Sequence, residues 1–521
     1  MKNPQLKAQL DHRYHKSAED KLQNIQRSID TISQNYEKRI KFFECLVQKT
    51  IQGTDFKLCL HGHDWSKDQI LDLAANALKK SESKYEKGLS LSVLGKFDEA
   101  ELQFDGAIEH NPGCVKCYFG RGNAKFLKNR FREACVDYSE AIKLDAKFAE
   151  VWSNKGIALD LLGKPDEALK CFDKAIEINP NFAEACLNKG TVLGEMGKPD
   201  EALKCFDKAI EINPKYAMAW FNRGTTLYQL VKPDEALRCF DKAIEINPRN
   251  AVAWSNEGNM LGELAKPDEA LLAYDKAIEI DPKYAVARLN KGNLLGEMSK
   301  PDEALKCFDK AIEMNPQLAE AWSGRGNALI ELGKPGEGLK AYDKAIEINP
   351  QLAEAWYNKG NALNELAKPD EALLAYDQAI EINPKYAMAW SNKGTTLREL
   401  GRPDEALNAY DKAIEMDPKY AMASSNKGTT LRELGRPDEA LNAYDKAIEM
   451  NPKYGTAWYN KGNVLYNLGK LDDALKCFDK ATEINPQYTE AWSDKSIVLD
   501  ELGKSDEALK AYRKSKHSRA V

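Results

Sequence analysis

The sequence predicts an all-α protein: a solenoid of stacked helix-turn-helix units preceded by a helical extension. Three observations predict it. A 34-residue period runs without a gap from Ser81 to Val521, each half of the period carries apolar residues at three-to-four spacing, and a glycine or proline punctuates each half. Units start at Ser81, Val115, Ala149, Ala183, Ala217, Ala251, Ala285, Ala319, Ala353, Ala387, Ala421, Gly455 and Thr489. These thirteen units occupy residues 81–521, the last stopping just inside its second helix, and residues 1–80 form the extension.

The extension comes first in the chain. Leu22, Ile25, Ile29, Ile32, Tyr36, Ile40, Phe43 and Val47 make an apolar stripe within a helix predicted from Leu6 to Gln52. Such a stripe either packs on the first repeats or pairs with a second copy as a homodimer. Asp68 to Lys80 reads as a further helix leading into the array.

The unit from Ala149 explains the rest. Its first helix has apolar or small residues at positions 1, 3, 4, 8, 11 and 14 and ends where Gly163 can turn left-handed. Pro165 then sets φ at the start of the second helix, and Asp166 and Glu167 place negative charge at its electropositive end. Ala168, Phe172 and Ala175 are the predicted buried face, with Gly156 and Ala168 small because the two helices touch there. Asn179 and Pro180 return the chain to the next unit. In the unit from Ala319, Gly336 and Gly338 each cost roughly 0.5–1 kcal/mol relative to alanine, which reads either as a soft joint or as neutral drift. The units from Ala387 and Ala421 differ only at Trp390/Ser424 and Asp417/Asn451, the mark of duplication. In the last unit Ser496, Ser505 and Ser515 replace repeat Gly, Pro and Ala, as a terminal cap requires.

Composition bounds the function. With 43% apolar residues, 30% charged residues and a net charge of −6, the chain is expected to be well packed, mildly acidic and cytoplasmic. It has no run of about 18 apolar residues and no signal-peptide core, so no membrane partner is expected. Cys171, Cys205, Cys239, Cys307 and Cys477 share one repeat position, each before a phenylalanine, and read as reduced packing residues. Cys59, His61, His63 and Asp64 are clustered, and Cys114 and Cys117 form a CxxC, yet neither has the paired spacing of a zinc site. No Walker loop, dinucleotide fingerprint or HExxH occurs, so no catalytic residue, metal or cofactor is expected.

An aromatic at position 4, Gly at 8, Ala at 20, an aromatic at 24, Ala at 27 and Pro at 32 stand in the third unit as Trp152, Gly156, Ala168, Phe172, Ala175 and Pro180. This pattern resembles the tetratricopeptide repeat family. The resemblance implies a right-handed α-solenoid whose first helices line a long concave groove, and a non-catalytic scaffold that binds other proteins there. Eight of the nine tryptophans occupy position 4, which reads them as core residues rather than platforms for nucleic-acid bases.

In this family, positions 2, 5, 6, 9, 12 and 13 line the groove. Position 6 holds Asn154, Asn188, Asn222, Asn256, Asn290, Asn358, Asn392, Asn426 and Asn460, interrupted among the central units by Gly324. The row is similar to the asparagine ladder in the repeat domain of O-linked N-acetylglucosamine transferase. Amides at a regular rise can pair with successive peptide groups of an extended chain, or each can bond within its own helix pair; both readings stand. Position 13 holds Glu195, Glu263, Glu297, Glu331, Glu365, Glu399 and Glu433, with Glu501 beyond them. A negative stripe favours extended, basic polypeptide and opposes nucleic acid, whereas the bland alternative is a solvated row. Arg398 and Arg432 at position 12 interrupt the acidic run. No unit has Lys at position 5, which disfavours the family's clamp for chaperone C-termini. Lysine or arginine at position 7, as in Lys155, Lys189, Arg223, Lys359 and Lys393, is expected to cover apolar surface with its stem while its charge reaches water. The alternative function is a targeting arm for a regulatory or catalytic N-terminal segment.

Overall fold

The computed structural model of the chain describes residues 83–517, together with Ala75 and Lys79. The predicted extension helices, their self-pairing and the Cys59–Asp64 cluster lie outside the described residues. Within them the fold is all-α: twenty-six helices in thirteen consecutive pairs. Twelve first helices begin at the predicted unit start. The exception is Lys84–Val93, which follows the extended residue Ser83. The final second helix, Ser505–His517, spans thirteen residues against fourteen in Pro165–Ile178, so the thirteenth unit reaches further into its second helix than its sequence suggests. The described residues divide into two compact bodies, one ending at Ala273 and the other beginning at Tyr274, with the division inside the helix Pro267–Ile280.

The turn between the helices of a unit is the same everywhere. Position 15 has positive φ in all thirteen units, from 55° at Ala367 to 75° at Gly95. Glycine takes this conformation in eight units, and Asn129, Val231, Ala265, Ser299 and Ala367 take it in five. The second helix then starts without a side-chain cap. Lys164 makes no capping bond, and Pro165, which has no N–H to satisfy, is followed by the acidic Asp166 and Glu167.

Packing alternates within and between units. Phe172, Ala168 and Ala175 are buried as expected. A Cβ on Gly156 would stand 2.8 Å from Phe172 Cε1, so the ring at position 24, rather than Ala168, is what requires glycine at position 8. The next unit closes the core: Tyr138 and Ala141 of the second unit cluster with Val151 and Ala158 of the third. Each unit therefore completes its neighbour, which a lone helix pair cannot do for itself. The last unit has no following neighbour among the described residues. There Ser496 stands at position 8, and Tyr512 at position 24 is 49% exposed.

The tryptophans do more than fill space. Only Trp492 of the eight at position 4 is fully buried, and the others are half-buried. Each indole Nε1–H donates to a backbone carbonyl six residues earlier, such as Pro214, Pro248 or Pro316, at 2.9–3.1 Å. They latch the loop between units onto the first helix. At Gly338 the helix Pro335–Ile348 is unbroken, and an added Cβ would lie 2.9 Å from Ile330 Cδ1 and 3.1 Å from the Gly326 carbonyl. That glycine marks a close approach of two helices.

Candidate functional site

Positions 6, 9 and 13 fall on one side of each first helix, since residues three and four apart are neighbours on a helix surface. In the body before Ala273 this face carries Asn154, Asn188, Asn222 and Asn256, all half-buried, with Glu195 and Glu263 exposed. In the body after Tyr274 it carries Asn290, Asn358, Asn392, Asn426 and Asn460, again half-buried, with Glu297, Glu331, Glu365, Glu399 and Glu433 exposed.

The asparagines are tied in place from the preceding unit. The Asn154 amide donates to Asn123 Oδ1 at 3.2 Å, Asn222 to Thr191 Oγ1 at 3.1 Å, Asn358 to Asn327 Oδ1 at 3.1 Å and Asn392 to Asn361 Oδ1 at 2.9 Å. Asn426 reaches Thr395 Oγ1 at 3.5 Å. Where position 24 is tyrosine, the acceptor at position 9 is itself held by that ring's hydroxyl. The Tyr138, Tyr342 and Tyr376 hydroxyls donate to Asn123, Asn327 and Asn361 at 2.7–2.9 Å. The bonds of the position-6 asparagines run between units, whereas the tyrosine bonds run within a helix pair. An amide has two N–H groups and one carbonyl, so a bond through one N–H orients the group while leaving it further bonding capacity.

Two arginines punctuate the acidic stripe. Arg398 Nη1 donates to Glu433 of the next unit at 3.0 Å. Arg432, one unit later, has Asn467 at the corresponding place. It lines a pocket of about 260 Å³ with Asn463, Tyr466, Asn467, Asp494 and Ile497. Asp494 replaces asparagine at position 6. Burial pushes its carboxyl up, and the Tyr459 hydroxyl, donating at 2.8 Å, opposes that rise.

One set of side chains was misread from sequence. All but one of the cations named at position 7 do not end in water: they cross to the aspartate at position 25 of the preceding unit, sixteen residues earlier, the exception being Lys155, which has Ser139 there. Arg121–Asp105, Lys189–Asp173, Arg223–Asp207, Lys291–Asp275 and Arg325–Asp309 lie at 2.6–2.7 Å. Lys359–Asp343, Lys393–Asp377, Lys427–Asp411, Lys461–Asp445 and Lys495–Asp479 lie at 2.5–2.7 Å. The signal was present as an aspartate sixteen residues before each of the ten paired cations. Several of these cations also lie over the tryptophan at position 4, as Lys393 does over Trp390 at 5.5 Å.

The cysteines divide in two. Cys171, Cys205 and Cys477 remain thiols, each pushed up to about 11 by burial, and pack as expected. Cys114 and Cys117 form a disulfide with Cα atoms 5.3 Å apart, which repeat position alone did not announce. Among the described residues no group of three or more His, Cys, Asp or Glu is placed to hold a metal ion. No helix among them is long and apolar enough to cross a membrane.

Comparison with known proteins bears on the repeat. The tetratricopeptide repeat pattern matches residues 85–138, 289–353, 391–454, 425–489 and 459–520, and a second form of it matches 149–182, 183–216, 217–250, 251–284 and 353–386. Together these matches span well over half of the chain. Comparison with curated proteins finds no match. Among solved structures, the chain is similar to the APC/C hetero-tetramer Cut9-Hcn1, with 15% identity, a TM-score of 0.45 and coverage of 85% of this chain and 95% of that one. It is similar over 35% of its length to 95% of YrrB, described as a TPR protein with an unusual peptide-binding site, at 32% identity and a TM-score of 0.29. Over 31% of its length it is similar to 95% of MamA, at 26% identity and a TM-score of 0.29. With the repeat pattern matched along the array and a helix pair formed at every unit, the chain belongs to the tetratricopeptide repeat family.

Proposed function

We propose that this interaction scaffold holds extended polypeptide on its first-helix face, with basic side chains of the partner set against the glutamates, and that it assembles proteins by doing so. The observation that carries the reading is the asparagine row. Its nine amides are half-buried, and those of Asn154, Asn222, Asn358, Asn392 and Asn426 are oriented by bonds to the unit before. A donor-acceptor group held in place before binding loses little freedom on meeting a peptide backbone, so it favours an extended chain of any sequence. Selection by charge then falls to the exposed glutamates, which raise encounter rate for basic segments and disfavour acidic ones. No step of this reading calls for catalysis.

Capture from a cell lysate tests it, comparing the intact protein with the triple variant Asn392→Ala, Asn426→Ala and Asn460→Ala. Because Asn392 and Asn426 also bond to the preceding unit, the control is Lys359→Ala, which weakens a unit-to-unit contact without altering the face. The reading expects the triple variant to lose a captured polypeptide that the control retains. Retention by both would remove the asparagine row from the binding surface.

A further inference from the structure

The charge pairs between units break in one informative place. Position 7 of the sixth unit is Glu257, and the residue it meets at position 25 of the fifth is Asp241. Ten other joints set a cation against an aspartate there; here the same register sets two carboxyls against each other. Two carboxylates so placed repel each other, and a proton held by one of them turns the repulsion into a hydrogen bond. Glu257 Oε2 is buried and makes no hydrogen bond among the described residues.

We propose that the Glu257–Asp241 contact is a proton-gated joint in the array: with a shared proton it ties the sixth unit to the fifth, and without it two like charges loosen the same surface. The neighbouring cations are mostly paired elsewhere, and Lys266 and Lys242 act on Asp241 through charge alone. On the helix Pro233–Ile246, Lys242 is occupied by Glu245 at 2.5 Å, and Arg238 lies one turn before Asp241. In the fifth unit's first helix, Arg223 is held by Asp207 at 2.7 Å. In the sixth unit, Lys266 pairs with Glu269 at 3.6 Å, and Ala273 stands where five other units have a cysteine. Glu263 is the other charged residue on the helix of Glu257, six positions further along. Solvent reaches the joint through Asp241, which borders a pocket of about 470 Å³ beside Trp220 and Arg223.

Burial, followed by the charge of Asp241, pushes the Glu257 carboxyl from 4.5 up to about 7. Burial raises Asp241 as well, opposed by the Glu257 hydrogen bond, Lys266 and Lys242. A folded state that holds a proton more tightly than the unfolded chain is favoured at low pH. The contribution is therefore full below about 4.5 and declines as pH rises toward 7 and beyond.

Hydrogen exchange on the full chain at pH 6 and pH 8, corrected for intrinsic rates, tests the joint. Protection over residues 233–263 is expected to fall roughly tenfold more than protection over residues 301–331, which flank the ordinary Arg325–Asp309 joint. Glu257→Gln, which cannot ionise, and Glu257→Lys, which restores the cation-aspartate pair, should both remove that excess. Equal pH dependence at the two joints in the unaltered protein would overturn the proposal without recourse to any variant. Persistence of the excess in Glu257→Gln would also overturn it, by assigning the proton to another group.

Discussion

At position 15 the backbone holds φ between 55° and 75° whichever residue stands there, so the side chain bears the strain. Glycine adopts this region freely and asparagine tolerates it, but a β-branched residue does not. Val231, at φ 58° and 57% exposed, gains no burial that would offset the conformation. Val231→Gly should therefore stabilise the protein by about 0.5–1 kcal/mol, whereas Asn129→Gly should change it little; chemical denaturation of the two variants makes the comparison. At position 8 the requirement is steric. A Cβ on Gly394 would stand 2.7 Å from Tyr410 Cε1, and that ring is fully buried, so Gly394→Ala should cost about 1–3 kcal/mol in the same assay.

A helix pair is stable only through its joints, and the joints have two polar devices besides their apolar core. Tyrosine, position 9 and the following asparagine form a chain of hydrogen bonds on the first-helix face. On another side, the cation at position 7 meets the preceding aspartate. The second device is half-exposed: at Lys359–Asp343 the side chains are 25% and 57% exposed, so screening by water keeps each pair small. A double-mutant cycle of Lys359→Ala and Asp343→Ala should give a coupling of about 0.3–1 kcal/mol that shrinks in high salt. A coupling of zero would make the pair incidental. Helix boundaries were legible in the sequence because Gly163, Pro165 and Pro180 act locally, within a residue or two of the break. The joints were less legible, because Lys189 and Asp173 are sixteen residues apart and belong to different units. Reading Lys189 on its own helix alone sent its charge to solvent.

At the scale of the molecule, the repeat makes one local choice act many times: within each body, a glutamate worth little by itself recurs every 34 residues on the same side of each first helix. The members of the candidate face were legible, since Asn392, Asn426, Glu399 and Glu433 could be placed by counting from each unit start. What counting could not supply was their bonding. The amide of Asn392 donates to both Asn361 and Tyr357, and Glu433 is partly neutralised by Arg398, contacts that depend on how one unit sits on the next. The face therefore offers fewer free groups than its sequence advertises, but holds those it offers in fixed orientation. The measurement that tests this most directly is fluorescence anisotropy with labelled, unstructured peptides of equal length graded from lysine-rich to glutamate-rich. It would use the unaltered protein and a variant carrying Glu331→Gln, Glu365→Gln and Glu399→Gln. The account predicts affinity that rises with lysine content, weakens with salt and is reduced by the glutamine substitutions. Equal affinity for lysine-rich and glutamate-rich peptides, or binding indifferent to the substitutions, would contradict it.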